Sequence, residues 1–351
     1  MILDPTMTKH QEDSKPIIGI TMGDYNGIGP EVILKALDNS RILHICTPVI
    51  YGNLSVFSRY RKLLKLNDWI IQPIQHIDQL SAKKTNLIHV GKTKEVEIEP
   101  GRVNPEAGQL AAEAIKAAAQ DLKAGKIDAV VTAPINKHNI QSEQFNYPGH
   151  TEFFTEFLGA SDSLMLMTSD IIRIGTLTGH VPVQAVSQHI TAEKLLAKIK
   201  ILHNSLQQDF GLAKPKIAIL GLNPHAGEEG LLGQEEVKII RPVVIELKKK
   251  GALVFGPYSP DGFFASQEFR KFDGVLAMYH DQGLIPFKLL SFEYGVNYTA
   301  GLKAVRTSPD HGTAYDIAGK GIANETSLRE ALFLAADVVK NRREMNTATP
   351  L

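Results

Sequence analysis

The chain has little cysteine, no net charge and no long apolar run, and each shortage excludes a class of protein. Cys46 is the only cysteine among 351 residues, which excludes an internal disulfide or a thiolate metal cluster and suits a reducing compartment. Lysine plus arginine number 38, as do aspartate plus glutamate, so no global field would hold the protein on nucleic acid or an anionic membrane. No apolar run approaches the roughly 20 residues that span a bilayer. We therefore expect a cytoplasmic protein with no nucleic-acid or membrane partner.

Short β-type runs alternate with helical stretches along most of the chain, as in IIGITM before PEVILKAL. This alternation predicts an α/β fold with mostly parallel sheets. The length suits about two domains, and the lack of a Ser/Gly linker predicts that any division is discontinuous or runs through strands. The polar opening MILDPTMTKHQEDSKP lacks the apolar core of a signal peptide, and we expect residues 1–15 to form a disordered leader.

Three histidines, His180, His225 and His280, each follow an apolar run and lie near glycine or proline. In open α/β sheets ligands bind beyond the carboxyl ends of the strands, so three imidazoles at such ends are candidate ligands of one divalent ion. Neutral imidazole suits zinc and other borderline ions. The alternative is that each is a hydrogen-bonded structural residue, and a total of 12 histidines weakens the signal.

Two segments have the composition of anion-binding turns. ITMGDYNGIGPEVILKAL predicts a strand, a glycine-rich turn and a helix, although Gly23, Gly27 and Gly29 do not spell GxGxxG. Its backbone amides are candidates to cradle an anion, but a tight strand-to-helix turn needs glycine in any case. His150 and Thr151 stand at the predicted start of another helix, where free N–H groups and the dipole favour a phosphate or carboxylate. Alternatively, Thr151 only caps that helix.

The run from His280 to Asn324 concentrates Lys, Arg, Asn, Asp and His in a stretch interrupted by glycine and proline. Its lack of a regular pattern predicts a long polar loop, and such loops inside compact domains are usually functional. Lys288 and Arg306 are candidates to neutralise a phosphate ester, Arg306 by a bidentate grip. The alternative is a solvated surface.

Together these segments resemble the 4-hydroxythreonine-4-phosphate dehydrogenase family of pyridoxal 5'-phosphate biosynthesis. The resemblance runs from Ile17 to about Arg342 and rests on blocks matched in order, among them GDYNGIGPE, TAPINK, YPGHTEFF, LTGHVPV, LNPHAGE, MYHDQGLIPFK and VRTSPDHGTAYDIAGKGIAN. The last block is also similar to the loop with which isocitrate and isopropylmalate dehydrogenases hold the adenosine end of their cofactor. One departure is visible, because Tyr25 and Asn26 stand where many relatives have Pro-Ala.

The fold that the resemblance implies has two α/β subdomains flanking a cleft, with mostly parallel sheets, as in isocitrate and isopropylmalate dehydrogenases. We expect the first subdomain over 16–135 plus 296–351 and the second, with the metal and dimer contacts, over 136–295. NAD or NADP would bind without the GxGxxG motif. The active site would lie at the subunit interface of a homodimer.

The resemblance also implies roles for individual residues. One divalent ion per subunit, zinc, cobalt or magnesium, would be held by His180, His225 and His280, drawn from both subunits. The substrate contacts match His150, Thr151, Lys288, Asn297 and Arg306. The cofactor loop matches His311, Gly312, Thr313, Asp316 and Asn324.

The implied reaction is oxidation of the C3 hydroxyl of 4-phosphooxy-L-threonine by NAD or NADP, with loss of the C1 carboxylate to leave 3-amino-2-oxopropyl phosphate. A divalent ion would supply a Lewis acid at the reacting oxygen in both steps. A base must also accept the hydroxyl proton, and the candidates are Lys288, Asp261 and Asp281. Asp281 is alternatively an orienting partner of His280.

Other functions stay open at the level of sequence. A 4-phospho-threonate dehydrogenase of sugar-acid catabolism needs the same metal, phosphate and cofactor contacts. A three-histidine centre also suits a zinc hydrolase or aldolase, although HGTAYDIAGKGIAN would then have no ligand to hold. A non-catalytic nucleotide-binding module with structural histidines is a third alternative. The choices between NAD and NADP and among metals are equally open.

Overall fold

The computed structural model describes residues 15–38, 41–66, 69–91, 96–143 and 145–347. The chain divides into two compact units, one made of the described residues up to Gly159 together with those from Lys303 onward, the other of Ala160–Leu302. These divisions differ from the expected 135/136 and 295/296. The predicted disordered leader lies outside the described residues except for Lys15, whose ammonium group donates to the carbonyls of Leu43 and Ala82.

Long-range contacts explain the position of both boundaries. The segment after 135 stays with the first unit because the side-chain amide of Asn139 donates to Asp24 at 2.7 Å and to the carbonyl of Asn104 at 2.9 Å. Residues 296–300 stay with the second unit because they pair with the strand at 164–168. Neither contact is visible in local sequence.

The first unit contains a sheet with strand order β3-β4-β2-β1-β5-β12, and each described pair within it is parallel. Its strands are β1 (Ile17–Thr21), β2 (Thr47–Gly52), β3 (Ile71–Ile74), β4 (Thr85–His89), β5 (Ala129–Thr132) and β12 (Val305–Pro309). Its helices are α1 (Gly29–Asp38), α2 (Ile42–Ile45), α3 (Leu54–Leu63), α4 (Pro105–Lys123), α5 (His150–Phe157) and α10 (Thr326–Thr347).

Local chemistry accounts for these elements. Strands β2 and β5 are buried along their whole length, as expected for apolar runs in a parallel sheet covered on both faces. Helix α4 begins with Pro105 after Asn104, whose side chain accepts the Ala107 N–H at 2.8 Å. This pairing of a capping residue with proline in the first turn is a common helix start.

The second unit contains a sheet with strand order β11-β6-β7-β10-β8-β9. Strand β6 runs antiparallel to both neighbours, and the described pairs from β7 to β9 are parallel. Its strands are β6 (Leu164–Thr168), β7 (Arg173–Thr176), β8 (Ile217–Leu220), β9 (Val254–Tyr258), β10 (Gly274–Ala277) and β11 (Val296–Ala300). Its helices are α6 (Ala192–Gln208), α7 (Arg241–Lys249), α8 (Pro260–Ala265) and α9 (His280–Ser291).

The prediction of one long polar loop from His280 to Asn324 was wrong. Residues 280–291 form helix α9, and β11 and β12 follow, so the irregular part begins only after Pro309. Helix α9 buries Leu284 and Phe287 against core residues such as Ile174. These buried positions form the apolar face of a helix. The glycine, proline and polar residues between them make this helical pattern hard to recognise in the sequence.

The α/β class with mostly parallel sheets is confirmed. Where the structure describes the chain, its helices are too short or too polar to cross a membrane.

Candidate functional site

The three candidate metal ligands follow three neighbouring strands of the second unit. Strand β10 pairs in parallel with β7 on one side and β8 on the other, so their carboxyl ends lie at one edge of the sheet. His180 follows β7, His225 follows β8, and His280 is the first residue of α9, directly after β10. The predicted placement at strand ends is confirmed.

His180 and His280 are brought together by the turns that carry them. The N–H and hydroxyl of Thr178 both donate to the carbonyl of Met278, at 3.2 and 2.8 Å. The ring centroids of His180 and His280 are consequently 5.7 Å apart. His280 Nδ1 lies 2.7 Å from a carboxylate oxygen of Asp281, which leaves Nε2 as the nitrogen that can face a ligand.

His225 lies in a turn with unusual backbone geometry. Residues 225 to 229 have φ values of 53°, 50°, 77°, 41° and 54°, and among them only Gly227 lacks a Cβ. A left-handed helical turn costs about 1–2 kcal/mol for each residue with a side chain. Surrounding contacts must therefore hold this turn in place.

Two residues that the sequence analysis did not single out connect these loops. The Gln282 side chain accepts the Met278 N–H and donates to the Gly221 carbonyl, both at 2.7 Å. Glu236 is fully buried and accepts the N–H groups of Leu222 and Asn223, both at 2.7 Å. Two features of the sequence could have identified them: Gln282 is two residues from His280, and Glu236 lies in the GQEE run that follows LNPHAGE.

The chemistry of the donors fits a divalent ion. Imidazoles are suitable ligands for zinc or cobalt, and a carboxylate on the second ring nitrogen, as Asp281 provides for His280, is the usual support of a metal-binding histidine. Within the described ranges, no three His, Cys, Asp or Glu side chains are close enough to hold a metal. One chain thus brings His180 and His280 together without placing His225 in a group of three.

The candidate bases differ in their surroundings. The pKa of Asp261 lies below its usual value because the Ser259 hydroxyl donates to it, with help from the Gly262 N–H and from nearby His225. A lowered pKa makes Asp261 a weak base near neutral pH. Asp281 contacts His280, which favours the orienting role over proton transfer. Lys288 is half-buried on α9.

The substrate candidates in the first unit surround a buried arginine. Arg306 on β12 is only 2% exposed, and its Nε and Nη2 atoms donate to the Thr132 hydroxyl at 3.2 and 2.7 Å. Burial lowers the pKa of Arg306 to about 10, and Glu152 opposes the shift. The guanidinium therefore remains charged at neutral pH in a position with little access to water.

His150 lies beside this arginine at the start of α5. Burial, followed by the positive charges of Arg306 and Lys137, holds its pKa well below the usual value, so the ring is neutral at pH 7. Its Nε2 is buried and has no hydrogen-bond partner among the residues that the structure describes. The cap of α5 is Gly149, not Thr151, so the interpretation of Thr151 as a cap was wrong.

Asn297 is the substrate candidate on β11 of the second unit. Its Oδ1 is buried, and no described residue donates a hydrogen bond to it. An unsatisfied buried amide oxygen is uncommon and marks a place where a donor is expected.

The glycine-rich turn braces the predicted cofactor loop. The Ile28 N–H donates to the Thr313 carbonyl at 2.9 Å, and a Cβ on Gly27 would lie 2.8 Å from that oxygen. Buried Asp24 accepts the Tyr315 hydroxyl at 2.8 Å. The close packing of this turn accounts for its glycine without a cradled anion.

Glu31 fixes the far end of the same loop. It is fully buried, accepts the N–H groups of Gly321 and Ala323 at 3.3 and 2.8 Å, and pairs with Lys35 at 2.9 Å. Beside it is a cavity of about 400 Å³ whose lining includes Lys35, Gly321 and Glu325. Two buried carboxylates, Asp24 and Glu31, thus hold the loop at both ends.

The other loop candidates are more accessible. Gly312, Asp316 and Asn324 are exposed, and His311 is half-buried. The Asn324 side chain accepts the Thr326 N–H at 2.8 Å, at the start of α10. This contact gives Asn324 a structural role at the end of the loop, where the chain enters α10.

The fold and the buried cation together define a class: α/β proteins with a buried guanidinium that suits a small anionic ligand. Within that class, the chain belongs to the family described as pyridoxal phosphate biosynthetic protein PdxA, whose model matches residues 44–335. The family resemblance drawn from the sequence is confirmed.

Individual relatives agree with this assignment. A 4-hydroxythreonine-4-phosphate dehydrogenase from Bacteroides thetaiotaomicron is 48% identical over 340 residues, covering 96% of this chain and 92% of the relative. A putative D-threonate 4-phosphate dehydrogenase from Oceanobacillus iheyensis is 39% identical and covers 93% and 99%. The crystal structure of 4-hydroxythreonine-4-phosphate dehydrogenase from Klebsiella pneumoniae matches with a TM-score of 0.80 at 35% identity, covering 93% and 98%.

Proposed function

We propose that this protein oxidises 4-phosphooxy-L-threonine at C3 with NAD or NADP and decarboxylates the product to 3-amino-2-oxopropyl phosphate, a step of pyridoxal 5'-phosphate biosynthesis. The observation that carries the proposal is the buried Arg306 beside the unpartnered Nε2 of His150. A phosphate ester carries the negative charge and the acceptor oxygens that suit a buried guanidinium beside an imidazole nitrogen. The choice of 4-phosphooxy-L-threonine as the substrate is supported by the 48% identity to a relative named 4-hydroxythreonine-4-phosphate dehydrogenase.

The first-unit residues bind the phosphate. Arg306 supplies a charge that stays positive at neutral pH, and Thr132 fixes the guanidinium plane through two hydrogen bonds. Neutral His150 donates or accepts one further hydrogen bond through Nε2, depending on its tautomer. Thr151, half-buried in the first turn of α5, offers its hydroxyl and backbone N–H. Asn297 is the proposed contact from β11.

His180, His225 and His280 would hold the divalent ion, which is zinc, cobalt or magnesium. When bound, such an ion supplies a Lewis acid that stabilises negative charge on the substrate oxygen in oxidation and in decarboxylation. Asp281 orients His280 through Nδ1. Of the candidate bases we favour Lys288, because Asp261 is a weak base and Asp281 is engaged with His280.

The loop from His311 to Asn324 would bind the adenosine end of the cofactor. The 400 Å³ cavity beside Gly321 is within the usual size range of small-molecule sites. The braces from Asp24 and Glu31 keep this loop ordered before the cofactor arrives, which lowers the entropic cost of binding. None of the loop residues described above distinguishes NAD from NADP.

A homodimer is part of the proposal. Helix α9 and its C-cap, Phe292, expose a stripe of three apolar side chains: Ile285, Leu289 and Phe292, which are 59%, 83% and 72% exposed. The spacing places all three on one helix face, and a contiguous exposed apolar surface typically marks an interaction site. The same helix begins with His280, so a second copy covering the stripe would lie close to the candidate metal ligands. A cytoplasmic location remains a prediction.

The second candidate is a 4-phospho-threonate dehydrogenase, favoured by the 39% identity to the putative D-threonate 4-phosphate dehydrogenase. Its substrate carries a hydroxyl where the biosynthetic substrate carries an amine. Metal, phosphate and cofactor contacts are shared, so the two activities differ in one polar contact.

A steady-state assay tests these alternatives together. Purified protein is given each substrate with NAD and with NADP, before and after treatment with a chelator. We expect reduced cofactor to form fastest from 4-phosphooxy-L-threonine, and chelation to abolish turnover until metal is restored. Faster turnover of 4-phospho-threonate would select the second candidate. Undiminished activity after complete removal of metal would contradict the metal role, and failure to bind either nicotinamide would favour a hydrolase or aldolase.

A further inference from the structure

Glu236 is a carboxylate that the proposed reaction does not use, although folding buries it completely. Its Oε1 accepts the N–H groups of Leu222 and Asn223, and its Oε2 accepts the side-chain amide of Asn223 at 2.9 Å. Burying a carboxylate is far more costly than burying an apolar side chain of the same size. An apolar residue would fill this space without making these three hydrogen bonds.

The three hydrogen bonds end immediately before the left-handed turn that carries His225. Residues with a Cβ do not adopt such a turn without external constraint. Glu236 constrains the backbone where the chain enters the turn. Gly227 allows the carboxylate of Glu236 to approach the turn closely, because a Cβ on Gly227 would lie 2.6 Å from Oε2. On the leaving side, Glu229 forms two hydrogen bonds with Arg241 at 2.7 and 2.8 Å.

The local helix geometry sets the position of Glu236. It begins a π-helical turn, Glu236–Ile240, in which the Arg241 N–H donates to the Glu236 carbonyl, five residues back. Pro242 cannot donate to the Lys238 carbonyl and would clash with it in a regular α-helix. The wider π turn relieves that conflict, and helix α7 continues from Arg241.

Asn223 extends the network toward the loop that follows His180. Its amide also donates to Glu235 at 2.8 Å, and Glu235 accepts the hydroxyl of Ser187. One connected set of hydrogen bonds therefore runs from the loop after His180 to the turn of His225.

We infer that Glu236 is a positioning residue for metal binding: it holds the backbone at Leu222 and Asn223 so that the turn presents His225 in a ligating orientation. The inference rests on the proposed function in that it takes His225 to be a ligand. It adds a residue that touches neither metal nor substrate and acts through the backbone. Loss of this constraint lets the turn relax and withdraws one of the three imidazoles.

The test compares Glu236→Gln with Glu228→Gln, which makes the same charge change on an exposed residue of the same turn. Metal-stripped full-length proteins are titrated with Co²⁺, and binding is followed by calorimetry and by the visible absorption of the ion. Glu236→Gln should weaken Co²⁺ binding by about tenfold or more, the usual effect of removing a supporting contact, whereas Glu228→Gln should stay within about twofold. Saturating Co²⁺ should return kcat of Glu236→Gln toward that of the unaltered protein.

A second variant displaces the carboxylate without removing it. Gly227→Ala puts a methyl group 2.6 Å from Oε2, which is closer than van der Waals contact, so it should weaken Co²⁺ binding to a similar degree. This variant decides the matter if Glu236→Gln fails to fold. Unaltered Co²⁺ affinity in these variants, while His225→Ala binds poorly, would overturn the inference and leave the ligand role of His225 standing. Normal binding by His225→Ala would overturn both.

Discussion

Arg306 shows how a single residue can define a site. A guanidinium normally stays charged throughout the physiological pH range, yet folding leaves this one 2% exposed with the Thr132 hydroxyl as a hydrogen-bond acceptor. Retaining a charge out of water is costly unless a partner of opposite charge compensates. Glu152 supplies part of that compensation electrostatically, and a bound phosphate would supply more.

Arg306→Lys keeps the charge and removes the planar pair of donors. Hydrogen bonds to charged groups contribute about 1.5–3 kcal/mol, so we expect KM for the phosphorylated substrate to rise about 10- to 100-fold, with a smaller change in kcat and in KM for the nicotinamide. Steady-state kinetics with each substrate varied in turn measures this. Arg102→Lys, at a side chain 73% exposed, is the matched control. An unchanged substrate KM in Arg306→Lys would remove Arg306 from the phosphate site.

At the scale of elements, Gly108 in helix α4 illustrates how tertiary packing overrides helix propensity. Glycine inside a helix is about 1 kcal/mol less favourable than alanine, so the sequence alone suggests that Gly108 weakens α4. In the structure, a Cβ on Gly108 would lie 2.1 Å from the carbonyl oxygen of Asn139. Asn139 in turn binds Asp24, so this close approach helps to hold the glycine-rich turn.

Gly108→Ala should therefore destabilise the protein, in spite of its better helix propensity. Overpacking typically costs about 1–3 kcal/mol, and a clash with backbone is harder to relieve than one with a side chain, so we expect a net loss of at least about 1 kcal/mol in the free energy of unfolding. Denaturant unfolding at fixed protein concentration measures it. Gly262→Ala in α8, where no atom of the described residues lies within 4 Å of the added Cβ, should be neutral or stabilising. A stabilised Gly108→Ala variant would show that the close approach is not real.

For the whole molecule, the main feature is that the candidate residues are divided between two units. Arg306 and His150 belong to the first, and the three histidines with Lys288 and Asn297 belong to the second. Helix α9 is apolar on two faces, burying Leu284 and Phe287 inward and exposing its stripe outward. A surface helix of a monomer normally has a polar outer face, and this one fits the proposed homodimer.

Leu289→Lys places a charge in the middle of the stripe and should shift the protein from dimer to monomer, because a buried unpaired ammonium is strongly unfavourable at an interface. Sedimentation velocity over a range of concentrations gives the mass. Turnover should fall together with dimer content, since the proposed site lies at the interface. The control is Ile70→Lys, which alters an apolar side chain 67% exposed on the first unit. If Leu289→Lys keeps the mass of the unaltered protein, the stripe is not the interface.

The sequence by itself determined the α/β class, most strands and helices, and the placement of His180, His225 and His280 after strands. These features depend on apolar runs, caps and turn residues that lie within a few positions of one another, so the local sequence is sufficient to predict them. The sequence also identified the family, through motifs in a matching order such as LNPHAGE and HGTAYDIAGKGIAN.

Only the tertiary structure decided which segments share a unit, that 280–291 is a helix, and which polar groups are buried. The contacts of Asn139 with Asp24 and of Arg306 with Thr132 join residues 115 and 174 positions apart, and no local pattern encodes such pairing. The left-handed turn of His225 is the clearest case. Apart from Gly227, its residues have no intrinsic preference for that conformation, so the turn depends on contacts with Glu236 and Arg241 that exist only once the chain has folded.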